Sequence, residues 1–398
     1  MECFIEGGRA ARTREFEAGR VRRFAKGSGL PLKVSVVDMI EIGAGGGSIA
    51  SIDSMGLLKV GPRSAGSVPG PVAYGRGGQE PTVTDADLML GYLNPAYFLG
   101  GEMALGPRAV QAALSERLAT PLALPLMEVA LGIHRVVNEN MAAATRRYLA
   151  EKGKDVRDYA MVAFGGAGPV HAYALAKLLK ISQVVVPFAA GVTSALGFLV
   201  APPATDDVRS YVTRLDALDW GSVKALYDDM EAIARNRLTE AGADPDQVVF
   251  NRHADMRYVG QGFEIEVPVA PEAIAEESIE SLRESFYATY HRLFERSVRD
   301  VAIETLSWRL SAHAPPSSVP LSFPRAQTED AGTRGARELT FPAFGAVRAA
   351  VWDRYTLQTG ERIVGPAVIE ERESTTVMGP DATAVVDEHL NLIIAIDQ

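Results

Sequence analysis

A strand that runs into a glycine-rich turn, a helix and a second strand constrains this chain more than any other feature. Asp158 to Phe164 is short and apolar enough for a buried strand, and Gly165-Gly166-Ala167-Gly168-Pro169-Val170-His171 follows at once. A helix to Leu179 and an apolar strand from Ile181 to Pro187 complete the unit, and Gly191 to Leu199 begins another turn and helix. That order belongs to α/β nucleotide-binding folds. Glycines at such a turn let the backbone approach a ligand closely, and the helix behind it aims its first N–H groups outward. A turn needed only for packing uses the same residues, and a lone glycine-rich turn is weak evidence.

Further glycine segments precede it. The β-branched run Val34 to Ile42 reads as a buried strand ending in Gly43-Ala44-Gly45-Gly46-Gly47-Ser48. Successive N–H groups of Gly45, Gly46, Gly47 and Ser48 could wrap a phosphate, and a plain inter-strand bend is an equal alternative. No Gly-Lys-Ser/Thr follows, so this is not the loop of the P-loop ATPases. Alternation puts Asp38 and Glu41 on opposite faces, and Asp38 is the candidate for a metal or water contact; a solvated or capping carboxylate is the commoner outcome. Ile49 to Ile52, Ser54-Met55-Gly56 and Leu57 to Val60 read as a hairpin. The loop from Gly61 to Thr84 is dense in Gly, Pro and Ser, and loops this long are usually functional. Its Arg63 and Arg76 could grip phosphate or a substrate carboxylate through a planar fork, although exposed loop arginines are the usual case.

Thr84-Asp85 reads as the cap of a helix through Leu90 more than as a catalytic pair, with Asp85 able to do both. Helices are expected over Pro107 to Leu118 and Leu126 to Lys152, the latter stopped by Gly153. His134, near Asn138 and Asn140 on that helix, reads as structural. His171 begins the helix after the glycine turn, where the helix dipole favours a neutral imidazole. It is a candidate for ribose or substrate contact, or equally a histidine that only hydrogen-bonds the helix start. No Cys/His spacing for zinc and no Gly-x-Ser-x-Gly elbow is present.

A chain of 398 residues needs more than one core. Composition shifts after Ala201-Pro202-Pro203-Ala204, which divides the chain into expected domains 1–214 and 215–398. The second holds helices at Ser222 to Ala241 and Ile279 to Phe294, strands within Val248 to Pro268 and a strand at Val301 to Ala314. A polar linker at 315–337 leads to short strands from Leu339 onward, expected to form a small sandwich or barrel-like module. The net charge of -10 argues against nucleic acid or an anionic membrane as main partner. No apolar run reaches membrane-spanning length, the first residues have no signal-peptide pattern, and Cys3 alone can form no internal disulfide; these fit a reducing cytoplasm. Cys3 to Gly8 reads as one arm of a hairpin with Arg9 to Phe24 returning, as though an earlier strand were missing.

Taken together, four segments resemble the hydantoinase A/5-oxoprolinase family. They are Val36 to Ser48, Gly61-Pro62-Arg63-Ser64-Ala65-Gly66 through Pro69-Gly70-Pro71, Tyr74-Gly75-Arg76-Gly77-Gly78 with Pro81 to Ala86, and Ala163 to Pro169 with His171. Asp255 to Gly262 and Gly365 to Glu370 resemble that family's terminal domain. The resemblance implies an α/β fold with a ribonuclease-H-like ATPase lobe of the actin, sugar kinase and Hsp70 type, followed by an α+β and β-rich carboxy-terminal domain. It implies ATP and Mg²⁺ as cofactors and a hydantoinase B-type subunit as partner. The substrate it implies is a small cyclic amide such as a hydantoin or 5-oxoproline, phosphorylated for ring-opening hydrolysis; ketone carboxylase subunits are the alternative. It makes Gly165, Gly166, Ala167, Gly168, Pro169 and His171 the adenosine motif. The family's Asp-Gly-Gly-Thr loops, which hold phosphates and metal, are not in this sequence. The expectation is therefore an amino-terminally truncated subunit that a separate amino-terminal half completes, or an inactive scaffold. The metal ligands are left unassigned.

Overall fold

The computed structural model describes residues 2–3, 5–6, 9–18, 27–315 and 333–398. They fall into two compact units, Met1–Leu196 with Ser322–Gln398, and Gly197–Leu321.

In the first unit, β1 (Arg12–Ala18) pairs antiparallel with β2 (Leu30–Val37). The burial expected for Val34 to Ile42 is found only at Ile42 among its described apolar side chains: Met39 is exposed, and Val36, Val37 and Ile40 are half-buried. β-branched residues suit a two-stranded ribbon through cross-strand pairing as well as through burial, so the pattern does not distinguish the two. A hairpin follows, β3 (Ser48–Ile52) and β4 (Leu58–Ser64). Its turn is held by the Asp53 carboxylate, which accepts from the N–H groups of Met55 at 2.8 Å and Leu57 at 2.9 Å.

Helix α1 (Val83–Met89) starts earlier than expected because Thr82, not Thr84, is its cap. The Thr82 hydroxyl accepts from Asp85 N–H, and the Asp85 carboxylate accepts from Thr82 N–H, a reciprocal capping box. Helix α2 (Pro107–Leu114) continues through a π-helical turn at Ser115–Ala119. Helix α3 (Leu126–Glu151) buries Val129, Ile133 and Val137 completely, one turn apart on one stripe. Then come β5 (Met161–Val162), α4 (Gly168–Leu179), β6 (Gln183–Val186) and α5 (Thr193–Val200). β5 and β6 are parallel, as a strand–helix–strand unit requires.

The second unit contains β7 (Ala204–Arg214), α6 (Trp220–Glu240), β8 (Val249–Tyr258), β9 (Ile265–Pro268), α7 (Ile279–Phe294) and β10 (Ile303–His313). Its four-stranded antiparallel sheet runs β7-β10-β8-β9. The helices cover it with apolar stripes, such as Val223, Tyr227, Met230, Ala234 and Leu238 of α6, around the fully buried Trp308.

The last stretch returns to the first unit. It forms β11 (Thr333–Phe341), β12 (Gly345–Asp353), β13 (Arg362–Val364), β14 (Ala367–Glu370), β15 (Thr375–Met378), β16 (Ala382–Val386) and β17 (Leu392–Ile396). One sheet runs β11-β12-β14-β15; a second runs β13-β16-β17-β6-β5 and so extends the strand–helix–strand unit. The tail is thus not the separate sandwich or barrel expected from its turns. β17 reads Leu-Ile-Ile-Ala-Ile and pairs on both sides, with β16 and β6, and such an uninterrupted apolar strand belongs in a sheet interior. The compact units thus join the tail to the first part of the chain. Most of the expected linker, residues 316–332, lies outside the described residues, and Thr333 onward is already strand. Among the described residues no single helix is long and apolar enough to cross a membrane.

Candidate functional site

The fold brings the glycine segments against one another. A Cβ on Gly46 would lie 2.6 Å from Thr84 Oγ1 and 3.6 Å from the Ala167 Cβ, so Gly46 sits between the start of α1 and the turn before α4. Its carbonyl accepts from Thr84 N–H at 2.8 Å. The Ser48 hydroxyl accepts from Gly45 N–H at 3.1 Å and closes the bend. Gly47 meets the Ser64 hydroxyl, which a Cβ would approach to 2.9 Å. Across the turn, Gly165 donates to Ala190 O at 2.7 Å, and a Cβ on Gly191 would meet Glu373 O at 2.4 Å. The Glu371 carboxylate accepts from the N–H groups of Ala189 at 2.8 Å and Ala190 at 3.0 Å. Burial pushes the Glu371 carboxyl up, against Arg354 and these donors.

Two kinds of glycine emerge. Gly46, Gly47 and Gly191 are places where chain segments touch. Gly45 and Gly165 face open space, with nothing within 4 Å of an added Cβ, and Gly165 has φ +91°. Gly166 is intermediate, 3.5 Å from Glu373 O, and Gly168 is 4.0 Å from Ala163. Behind this open face begins α4, with Pro169 in its first turn and no side-chain hydrogen bond at its cap, Ala167. In that first turn Gly168 N–H donates to Gly165 O at 3.3 Å and Pro169 has no N–H, so the turn has few donors to offer.

Beneath the turns lies a buried polar cluster. Asp87 on α1, His134 on α3 and His171 on α4 are each at most 3% exposed. Asp87 Oδ1 is 3.1 Å from His134 Nδ1, and Asp87 Oδ2 is 3.3 Å from His171 Nε2. The two imidazoles stack with centroids 4.8 Å apart, and Tyr92 meets His134 edge-on at 5.1 Å. Burial opposes the charge on Asp87, but His171 and His134 outweigh it and hold the carboxyl at about 2. Burial pushes the His134 imidazole below its ordinary range, against the pull of Asp87. His171 Nε2 stands at ion-pair distance, yet neither of its ring nitrogens makes a hydrogen bond.

The other candidates fall elsewhere. The Asp38 carbonyl accepts from Tyr148 OH at 2.6 Å and its carboxylate pairs with Lys152. Tyr148 follows His134 by 14 residues, about 21 Å along α3, so Asp38 serves the far end of that helix and not this site. Arg63 pairs with Glu80 at the surface, and Arg76 is exposed. Asp85 is buried and fully occupied: besides Thr82, it accepts from Val72 N–H at 3.2 Å and Ala73 N–H at 2.7 Å, which pins the long loop to α1. Burial pushes its carboxyl up, against those donors. Asp87 carries no local signal in the sequence, and His134 reads there as structural more than catalytic, because the cluster's members lie far apart in the chain and share no local spacing. The signal within reach was three ionisable residues on apolar helix faces. Two open clefts of about 300 and 280 Å³ lie in the second unit, and neither is lined by a glycine turn or this cluster.

Comparison with known proteins places this arrangement. Residues 3–207 match the hydantoinase/oxoprolinase family and residues 217–394 its C-terminal domain. The alpha subunit of caprolactamase from Pseudomonas jessenii is 33% identical over 354 residues, 87% of this chain and 51% of that subunit. A solved structure of the ATP-dependent caprolactamase of that organism superposes with a TM-score of 0.71 at 31% identity, covering 93% of this chain and 54% of that one. The nucleotide-free structure of acetone carboxylase, an ATP-dependent enzyme, gives a TM-score of 0.79 at 26% identity, covering 92% and 54%. The chain thus spans about half the length of the relatives it matches. The fold class is that of these ATPase-type neighbours: an α/β, ribonuclease-H-like lobe with an α+β and β-rich remainder. By its matched residues and its fold, the chain belongs to the hydantoinase/oxoprolinase family.

Proposed function

We propose that this chain supplies the adenosine side of an ATP site in a subunit that activates a cyclic amide for ring-opening hydrolysis. The observation that carries the reading is the open face at Gly45 and Gly165 in front of the uncapped start of α4. Backbone there is approachable, and the positive end of the α4 dipole favours an electron-rich ligand at its start. The contact of Gly46 with Ala167 holds the two turns against each other. The residues present thus fit an adenine nucleotide. They do not gather an oxygen-rich donor set for Mg²⁺ among the described residues, and no step is assigned to that ion.

An unactivated cyclic amide is a poor electrophile. ATP would supply a phosphoryl group to the amide oxygen with release of ADP. Water then adds at the amide carbon, the ring C–N bond breaks as the nitrogen leaves protonated as the amine, and the resulting acyl phosphate is hydrolysed to carboxylate and phosphate. This chain's part is positioning by the start of α4 and by a preformed turn. The remainder of the phosphate site, a hydantoinase B-type subunit and a cytoplasmic setting belong to the same proposal. Acetone carboxylase makes ketone activation the second reading.

The test is phosphate release from ATP with 5-oxoproline, hydantoins and caprolactam. The assay uses the chain alone and with an amino-terminal half and a B-type subunit. The proposal expects substrate-dependent release only from the complete mixture. Release with acetone or acetophenone and bicarbonate, but with no lactam, would favour the second reading. Equal release by the chain alone would contradict the division of labour.

A further inference from the structure

We propose that Asp87, His134 and His171 form a site for a divalent transition metal of the zinc class, tying α1, α3 and α4 together beneath the glycine turns. One ligand atom from each residue lies within 4.8 Å of the other two, and all three residues are buried. The edges from Asp87 to the two imidazole nitrogens are 3.1 and 3.3 Å. Metal–ligand bonds of about 2.0–2.1 Å in a tetrahedron give ligand-to-ligand edges of about 3.3 Å. A hydrogen-bonded triad has similar edges, so distance alone does not decide.

The second observation does. His171 is 3% exposed, and both its ring nitrogens are without a hydrogen-bond partner although Asp87 Oδ2 is in reach. The 3.3 Å contact to Asp87 Oδ2 falls short of a hydrogen bond, and Nδ1 has no partner at all. An imidazole with two unpaired nitrogens in a core is otherwise costly. The donor set, two imidazoles and one carboxylate, is that of zinc-class ions and not of Mg²⁺. Three protein ligands leave the fourth position of a tetrahedron for a water. His171 is the fourth residue of α4, so a metal there would fix the orientation of the Gly165 turn. The site does not depend on the ATP reading, and its test does not use turnover.

The purified chain, stripped with a chelator and dialysed, is titrated with Zn²⁺ and with Co²⁺. The expected result is one equivalent bound per chain, a tetrahedral Co²⁺ absorption band with a histidine signature in X-ray absorption, and a melting temperature that rises on metal addition. His134→Ala, His171→Ala and Asp87→Asn should each weaken binding by at least about 100-fold, while the exposed His389→Ala should not change it. If His171→Ala does not fold, His171→Gln and competition of the native chain against a chromophoric chelator decide in its place. A folded protein that binds less than about 0.1 equivalent, with melting unmoved by chelator or Zn²⁺, would show a metal-free triad and overturn the proposal. Binding that survives in folded His134 and His171 variants would do the same.

Discussion

The two units handle buried polarity in opposite ways. In Gly197–Leu321 the core is apolar and aromatic, built on Trp308, Met230, Met256 and Phe286, and Asp255 is its one buried acid among the described residues. That acid is answered by Arg309, whose Nε donates to both carboxylate oxygens at 2.8 and 2.7 Å. The first unit buries Asp85, Asp87, His134, His171, Glu370, Glu371 and Arg354. Some of these are satisfied: Asp85 accepts four hydrogen bonds, and Glu371 anchors the Ala189–Ala190 turn. His171 is not. A core that is apolar where it could be polar reads as scaffold; one that carries incompletely paired ionisable groups beside open glycines reads as a site.

Trp308→Ala is the sharpest way to break this contrast. Removing a fully buried indole from the second unit should cost about 3–5 kcal/mol in denaturant unfolding. Below the melting transition, metal and nucleotide binding by the first unit should be unchanged. Loss of both ligands in a still-folded variant would show that the second unit is more than scaffold.

The glycines give the next largest effect. Gly46→Val must displace Thr84, whose hydroxyl would lie 2.6 Å from the new Cβ, and should destabilise by about 1–3 kcal/mol. Gly45→Val meets nothing within 4 Å and should leave thermal unfolding nearly unchanged. Equal destabilisation by the two would erase the distinction between packing glycines and ligand-facing ones.

That distinction was not legible in the sequence, where Gly45, Gly46 and Gly47 are one run. The strand–turn–helix order around Gly165 to Leu179 was legible, because apolar periodicity and a glycine turn are local signals, and so was α7, whose bounds agree with its apolar pattern. The place of the tail was not. β17 finds its neighbours β6 and β16 through pairing across the chain, which no local pattern records. The start of α1 was missed by two residues, because Thr82 and Thr84 are both competent caps and only the contact with Asp85 chooses between them. Asp38 drew attention by opening a motif, yet its partners lie on the far end of α3.

The smallest expected effect concerns Asp381, which accepts from Tyr173 OH and pairs with Lys177 at 2.9 Å, joining α4 to the strand pair β16–β17. Burial raises its carboxyl, and the bonds from Tyr173 and Lys177 more than offset that, so its range is lowered in the folded chain. A depressed acid contributes stability above its unfolded value, near 3.9, and loses it as pH falls through the folded value. Asp381→Asn should therefore cost about 0.5–1 kcal/mol at pH 7, given its partial exposure, and nothing once pH is below that window. Urea midpoints of both proteins at pH 7 and at acid pH give the comparison; a difference that persists unchanged in acid would assign the effect to packing.

The account stands on the open glycine face being a nucleotide surface, and an ADP titration of native chain and Gly45→Val tests it most directly. Backbone amide shifts or calorimetry should show weak binding by the native chain, on the order of millimolar, since the phosphate loops that the family resemblance implies are not in this sequence. In Gly45→Val, with unfolding unchanged, that binding should be lost. A folded Gly45→Val that binds ADP as the native chain does, or a native chain that shows no shift at Gly165 to His171 on saturation, would contradict it.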